Sequence, residues 1–260
     1  MALFLAWTIL PIFYLGVVSV KPERLILDPP SLAFPPTLER YRELLSWDEL
    51  GAPVRNSFIS ATLGTLGALT LGSMMALAFV LLDFPWKGPL FFLILLTRMY
   101  PPMTTVIPVY LMLKSMDLLD TLTALVVVFT ALQIPLVLWI MHTALSRIPR
   151  DVVESAVLDG ASLPVVVRKI LVPLASPAMV SAGILGFIFC WNDFLLPFVI
   201  TSSHARPGTA AIMTYTETYK NVLWGSLSTV SMAMIAPTAL FMLALRTYLV
   251  KGLTAGMLKG

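Results

Sequence analysis

From Asn56 to Leu82 the chain carries no charged side chain. That stretch is longer than the roughly 20 apolar residues an α-helix needs to cross a bilayer. Backbone polar groups inside lipid must be satisfied within the protein, which leaves only helices or closed barrels. The apolar residues here are continuous rather than alternating, which selects helices. Further runs of the same kind lie at about Ala2–Val20, Leu90–Leu113, Thr121–His142, Pro177–Ile200 and Leu223–Leu245. The expected fold is therefore all-α and integral to the membrane, with six transmembrane helices in a single domain over residues 1–260 and no second soluble domain. Composition agrees: 58% of residues are hydrophobic, 12% are charged and the mean hydropathy is +0.89. A soluble domain is nearer a quarter charged.

Other classes fall away on the same composition. A formal net charge of +3 is too small to argue for nucleic acid. Cys190 is the only cysteine, so no internal disulfide is possible and the redox compartment is not indicated. His142 and His204 are far apart, with no Cys/His cluster and no Ser/His/Asp set. Catalysis on this chain and a metal site are accordingly not expected. The opening run lacks the basic flank and cleavage site of a signal peptide. A short cytoplasmic leader ahead of it is left open.

Within the spans, several residues stand out. Ser60, Gly64, Ala68, Gly72 and Ala76 recur at every fourth position. On a helix they form a stripe of small side chains that lets another helix approach closely. The third span is expected to break near Tyr100-Pro101-Pro102 and again at Pro108, because proline removes a backbone donor and restricts the residue before it. Arg98 sits just before the first break, where a charge within lipid is costly and often functional; a structural partner or snorkelling to the surface is the alternative. Gln133 with Pro135 in the fourth span, and Asn192 with Asp193 in the fifth, are polar at depth. Asn192 and Asp193 either line a pathway or satisfy helix ends near Pro197. The pathway candidates are Arg98, Pro101, Gln133, Asn192 and Asp193.

Between spans, Lys21–Arg55 is rich in proline, with a helix-like stretch around Thr37–Leu50. It reads either as a docking surface for an external partner or as a packed connector. Thr201–Asn221 is polar, with Tyr215, Tyr219 and Trp224 nearby as an interfacial belt or as sugar-stacking groups. The tail over residues 246–260 holds three glycines, Gly252, Gly256 and Gly260, and reads as irregular.

The polar stretch Leu145–Pro177 has the sharpest local signals. Pro149 suits a first helical turn, and Asp151 and Glu154 suit the positive end of that helix. Gly160 supplies a left-handed stop. Ser162 with Pro164 starts a second short helix, Pro173 ends it, and Ser176-Pro177 opens the next span. Val153, Ala156, Val157 and Ala161 are expected to share one side. The result is a helix–Gly–helix elbow, and long ordered connectors of this kind tend to be functional.

Glu154-Ser155-Ala156, Asp159-Gly160-Ala161 and Ile170-Leu171-Val172-Pro173 together resemble the "EAA" loop of permease subunits in binding-protein-dependent ABC importers, with Ser155 in place of Ala. Asn56-Ser57, Trp191-Asn192-Asp193, Gly252-Leu253-Thr254-Ala255-Gly256 and Lys259-Gly260 extend the resemblance to the MalG-type branch of sugar permeases; Met257-Leu258 departs from the Ala-Val often found there. The resemblance implies an ABC importer type I permease-like fold with the 145–176 loop as a cytoplasmic coupling elbow, in the inner membrane of a bacterium or archaeon. It implies a second, MalF-like permease subunit, two ATPase subunits, an external substrate-binding protein and a sugar substrate. Glu154, Ala156, Asp159, Gly160 and Ala161 would couple to the ATPase, and Gly256, Lys259 and Gly260 of the tail would contact it. ATP and Mg would be bound by the partner ATPase; no Gly-x-x-x-x-Gly-Lys-Ser/Thr loop occurs in this chain. An ABC permease for a non-sugar solute is the alternative, followed by a self-contained secondary transporter. Basic residues divide evenly between the two sets of loops, so only the resemblance sets the orientation.

Overall fold

The computed structural model describes residues 2–26, 33–45, 51–213 and 222–257. Every regular element among them is helical. In chain order these are α1 (Ala2–Val20), α2 (Glu23–Ile26), α3 (Glu39–Leu45), α4 (Gly51–Leu81), α5 (Lys87–Leu96), α6 (Pro102–Ser115), α7 (Leu122–Leu145), α8 (Arg150–Leu158), α9 (Leu163–Val166), α10 (Val172–Asn192), α11 (Leu195–Ile200), α12 (Gly208–Ala211) and α13 (Trp224–Met257). A 3-10 turn at Thr97–Met99 follows α5, and a π turn at Val167–Leu171 leads into α10.

The count of six spans is not reached among the described residues. Four segments are long and apolar enough to cross a membrane: Gly51–Leu81, Leu122–Leu145, Leu163–Asn192 and Trp224–Leu243. Lys87–Met99 and Pro102–Ser115, bent by 97°, make a fifth if taken as one span. The first run forms α1 over Ala2–Val20, a 19-residue apolar helix that is not among those four.

Proline accounts for most of the boundary corrections. The break at Tyr100-Pro101 occurs where expected, with Tyr100 extended at φ −68° and ψ 134°. Pro108, however, lies inside α6 and does not interrupt it. Pro173 and Pro177 lie within α10, so neither ends nor starts a helix there. The π turn just ahead of Pro173 widens the helix where the ring must clear the preceding turn. Pro177 leaves the Pro173 carbonyl without its usual N–H donor, and the Ser176 hydroxyl donates to that oxygen instead at 2.8 Å. The fifth span breaks earlier than expected, after Asn192, with Pro197 inside α11. The tail is also corrected: α13 continues helically to Met257. Extending an existing helix avoids the nucleation cost, so a glycine penalty of about 1 kcal/mol each does not stop it.

The chain forms two compact units. One comprises Met1–Ser60, Val106–Ala124 and Trp191–Leu240. Its interior holds Leu113, Trp191, Leu196, Ile200 and Val230, and the Trp191 indole N–H donates to the Met234 carbonyl at 2.8 Å. The described part of the Lys21–Arg55 segment is tied to the end of α1. Arg40 pairs with Glu23 at 2.8 Å and donates to the carbonyls of Ser19 and Lys21, while Ser19 and Tyr41 share a hydroxyl hydrogen bond at 2.8 Å.

The other unit comprises Ala61–Thr105, Leu125–Cys190 and Phe241–Gly260. Here the small-residue stripe packs as expected: Gly64, Ala68, Gly72 and Ala76 are all buried. A Cβ on Gly64 would lie 2.6 Å from the Cβ of Phe129, and one on Gly72 2.8 Å from Val137. Glycine is required at both because α7 approaches to backbone distance. Thr130 reinforces the approach by donating to the Gly64 carbonyl at 3.2 Å.

Candidate functional site

The elbow is built by backbone geometry that its sequence dictates. Pro149 is extended (φ −58°, ψ 137°) and hands the chain to α8. At the other end Asp159 leads to Gly160 at φ +85°. The Gly160 N–H donates to the Val157 carbonyl at 2.9 Å and the Ala161 N–H to the Ala156 carbonyl at 3.0 Å. That pair of bonds is the Schellman arrangement, which closes a helix through one left-handed residue. Ser162 is then extended, and its carbonyl accepts from Val165 and Val166 to start α9. Its hydroxyl makes no cap, so Ser162 begins the helix through its backbone alone.

The elbow has two faces. Val153, Ala156 and Ala161 pack on a core that includes Val137, Leu138, Met141, Leu145, Val166 and Leu171. Beside it lies a cavity of about 190 Å³ whose lining includes Val80, Leu145, Arg150, Val153 and Glu154. Val157 was expected on that side but is 52% exposed. It lies on the outer face with Leu158, at 87%, and with Val152 and Leu163. Glu154, Asp159 and Gly160 are also exposed. Glu154 makes no ion pair among the described residues. The outer face is therefore an apolar ridge bordered by exposed carboxylates.

The broken third span places its candidates as follows. Arg98, in the 3-10 turn, donates to the Leu132 carbonyl at 2.9 Å and to Gln133 Oε1 at 3.2 Å. Its guanidinium lies 4.8 Å from the centre of the Phe189 ring. Arg98 and Gln133 are therefore brought together, while Pro101 is exposed at the bend. In the other unit, Asn192 donates to Thr238 at 3.3 Å. Asp193 Oδ1 accepts the Leu195 N–H at 3.1 Å and so satisfies the start of α11. Gly256 lies within α13. Lys259 and Gly260, like Tyr215 and Tyr219, lie outside the described residues.

One residue escaped the sequence reading. Asp120, at φ +56°, accepts the N–H groups of Ser202, Ser203, His204 and Ala205 and the hydroxyls of Ser202 and Ser203, all within 3.0–3.2 Å except one at 2.9 Å. Burial acts to raise its pKa, but the donated hydrogen bonds outweigh it and hold the carboxyl well below the usual carboxylate range. Its only sequence signal was a polar loop more than 80 residues downstream, which no local pattern connects to it.

Residues 68–255 match the family described as the binding-protein-dependent transport system inner membrane component. The chain belongs to this family. It is 31% identical to the trehalose transport system permease protein SugB of Mycobacterium tuberculosis, over 99% of this chain and 95% of that protein. It is likewise 31% identical to the trehalose/maltose transport system permease protein MalG of Thermococcus litoralis, over 96% of this chain and 91% of that one. A crystal structure of a bacterial ABC transporter involved in alginate import has the same fold, with a TM-score of 0.77, 18% identity, and coverage of 95% of this chain and 92% of that chain. As a permease of this family the chain is a multi-pass membrane subunit of an ABC importer, and ATP hydrolysis belongs to a separate subunit. Such a permease works with a partner permease, an ATPase and a substrate-binding protein.

Proposed function

We propose that the chain is one of two different permease subunits forming the pathway of a sugar importer in the inner membrane of a bacterium or archaeon. Two ATPase subunits bind ATP and Mg on the cytoplasmic side, and an external binding protein delivers the sugar. The elbow docks on the ATPase: Val157 and Leu158 enter its apolar cleft, Glu154 meets a basic group there, and Ala156, Asp159, Gly160 and Ala161 hold the bend that carries them. The tail, with Gly256, Lys259 and Gly260, reaches the same partner. Arg98, Pro101, Gln133, Asn192 and Asp193 border the route of the solute. The observation that carries this reading is the elbow itself, a closed left-handed turn with one face packed and the other presenting an unpaired carboxylate beside exposed apolar residues. The relatives' names, two of which specify trehalose or maltose, favour a sugar over other solutes.

The test is uptake of radiolabelled trehalose and maltose by cells expressing the complete importer. Glu154→Lys should abolish uptake at unchanged membrane content, and the ATPase should no longer copurify. Wild-type uptake and an intact complex in that variant would refute docking through the elbow.

A further inference from the structure

The Asp120 cluster does more than tie down a loop. Five consecutive features lead from it to the break in the fifth span. Asp120 gathers the backbone of 202–205 around its carboxylate. Its own N–H donates to the carbonyl of Ile200, the last residue of α11, at 2.9 Å. Asn56 then donates to the carbonyls of His204 and Arg206 at 3.0 and 3.2 Å. The Gly208 N–H donates to the buried Ser57 hydroxyl at 2.8 Å. Finally the Thr209 hydroxyl donates to the Asp193 carbonyl at 2.7 Å, at the break between α10 and α11. Asp193 spends its side chain on the first turn of α11, so Thr209 holds the same residue from its backbone side.

We propose that Asp120 is a positioning residue which, through the clamped segment 202–209, fixes the broken helix at Asn192–Leu195. The pathway role of Asn192 and Asp193 rests on the function proposed above; the clamp itself does not. A helix break leaves backbone groups without intrahelical partners, and such a break keeps one geometry only when its surroundings determine it. Here the break is held by Asp193 within the chain's local backbone and by Thr209 from outside it. Thr209 sits in the first turn of α12, immediately after a segment that would otherwise have no regular structure. The charge on Asp120 is what orders that segment, because a carboxylate can accept from several convergent N–H groups at once. Asparagine cannot replace it. Its amide nitrogen would face donors, and half of the acceptor sites would be lost.

The experiment compares wild type with Asp120→Asn, Thr209→Val and Thr209→Ser in the purified importer complex by hydrogen exchange with mass spectrometry. Asp120→Asn should raise exchange at 202–205 and also at Leu195 and Leu196 by about tenfold or more, the loss of one charge-assisted bond. Thr209→Val should raise exchange at Leu195 and Leu196 while leaving 202–205 protected, and Thr209→Ser should match wild type. Uptake of trehalose and maltose, normalised to membrane content, should fall at least about fivefold in the first two variants and not in Thr209→Ser. Exchange that rises only at 202–205 in Asp120→Asn overturns the clamp. Uptake unchanged in Thr209→Val despite a loosened break overturns the positioning role. Wild-type complexes that take up neither sugar count against the sugar reading alone, because the exchange pattern still decides the clamp.

Discussion

Replacing Gly160 isolates a single physical requirement. Its φ of +85° lies in the left-handed region, and a Cβ built there meets nothing within 4 Å. Space is therefore open, and the whole cost of a side chain is conformational. For an ordinary L-residue that cost is roughly 1–2 kcal/mol, and a β-branched residue is at the high end. Asparagine tolerates the same region and should cost less. A penalty of this size shifts the closed elbow against an opened one by about 5–30-fold. The expected order of disruption is Gly160→Val above Gly160→Ala above Gly160→Asn. The Ala161 amide, bonded to the Ala156 carbonyl, is the reporter. Its exchange rate in the purified complex should rise about 5–30-fold in Gly160→Val and little in Gly160→Asn. Uptake should fall in the same order. If Gly160→Asn is as damaging as Gly160→Val in both assays, backbone handedness is not what the glycine supplies.

Two further expectations concern packing and pH. Gly64→Leu places its first side-chain atom where α7 already stands, 2.6 Å from Phe129 Cβ, and should destabilise the bundle by about 1–3 kcal/mol or more, read as a lower thermal aggregation temperature in detergent; an unchanged temperature would refute the close approach. The Asp120 clamp should survive acid well. A carboxyl whose folded pKa is depressed contributes stability above its unfolded value, near 3.9, and loses it as pH falls through the folded value. A nitroxide at His204→Cys should therefore stay immobile from pH 7 to about 4 and gain mobility only below that; mobility rising between pH 6 and 4 would contradict the stated hydrogen bonds.

Much of this protein is written in local sequence. Absence of charge over Asn56–Leu82 determines a membrane helix because lipid tolerates no unsatisfied backbone. Pro101-Pro102 breaks the third span, and Gly160 turns the elbow, since each acts through the residues beside it. The spacing of Ser60 to Ala76 foretold close helix packing for the same reason, as one face of one helix. Errors arose where a second feature, near or distant, answered the local signal. Pro177 did not start a helix because the Ser176 hydroxyl filled the carbonyl it left vacant. Pro173 passed through α10 behind a π turn that no residue pattern announces. Val157 stands exposed although Val153 and Ala156 of the same nine-residue helix pack inward, a division that the pattern of so short a helix does not settle. Tertiary structure alone gave Arg98 its partners on α7 and joined Asp120 to Ser202–Ala205. Those are long-range hydrogen bonds between polar groups that each, read singly, fit an ordinary loop or a solvated charge. Their meaning depends on which distant donor or acceptor the fold brings within hydrogen-bonding distance, and only packing decides that.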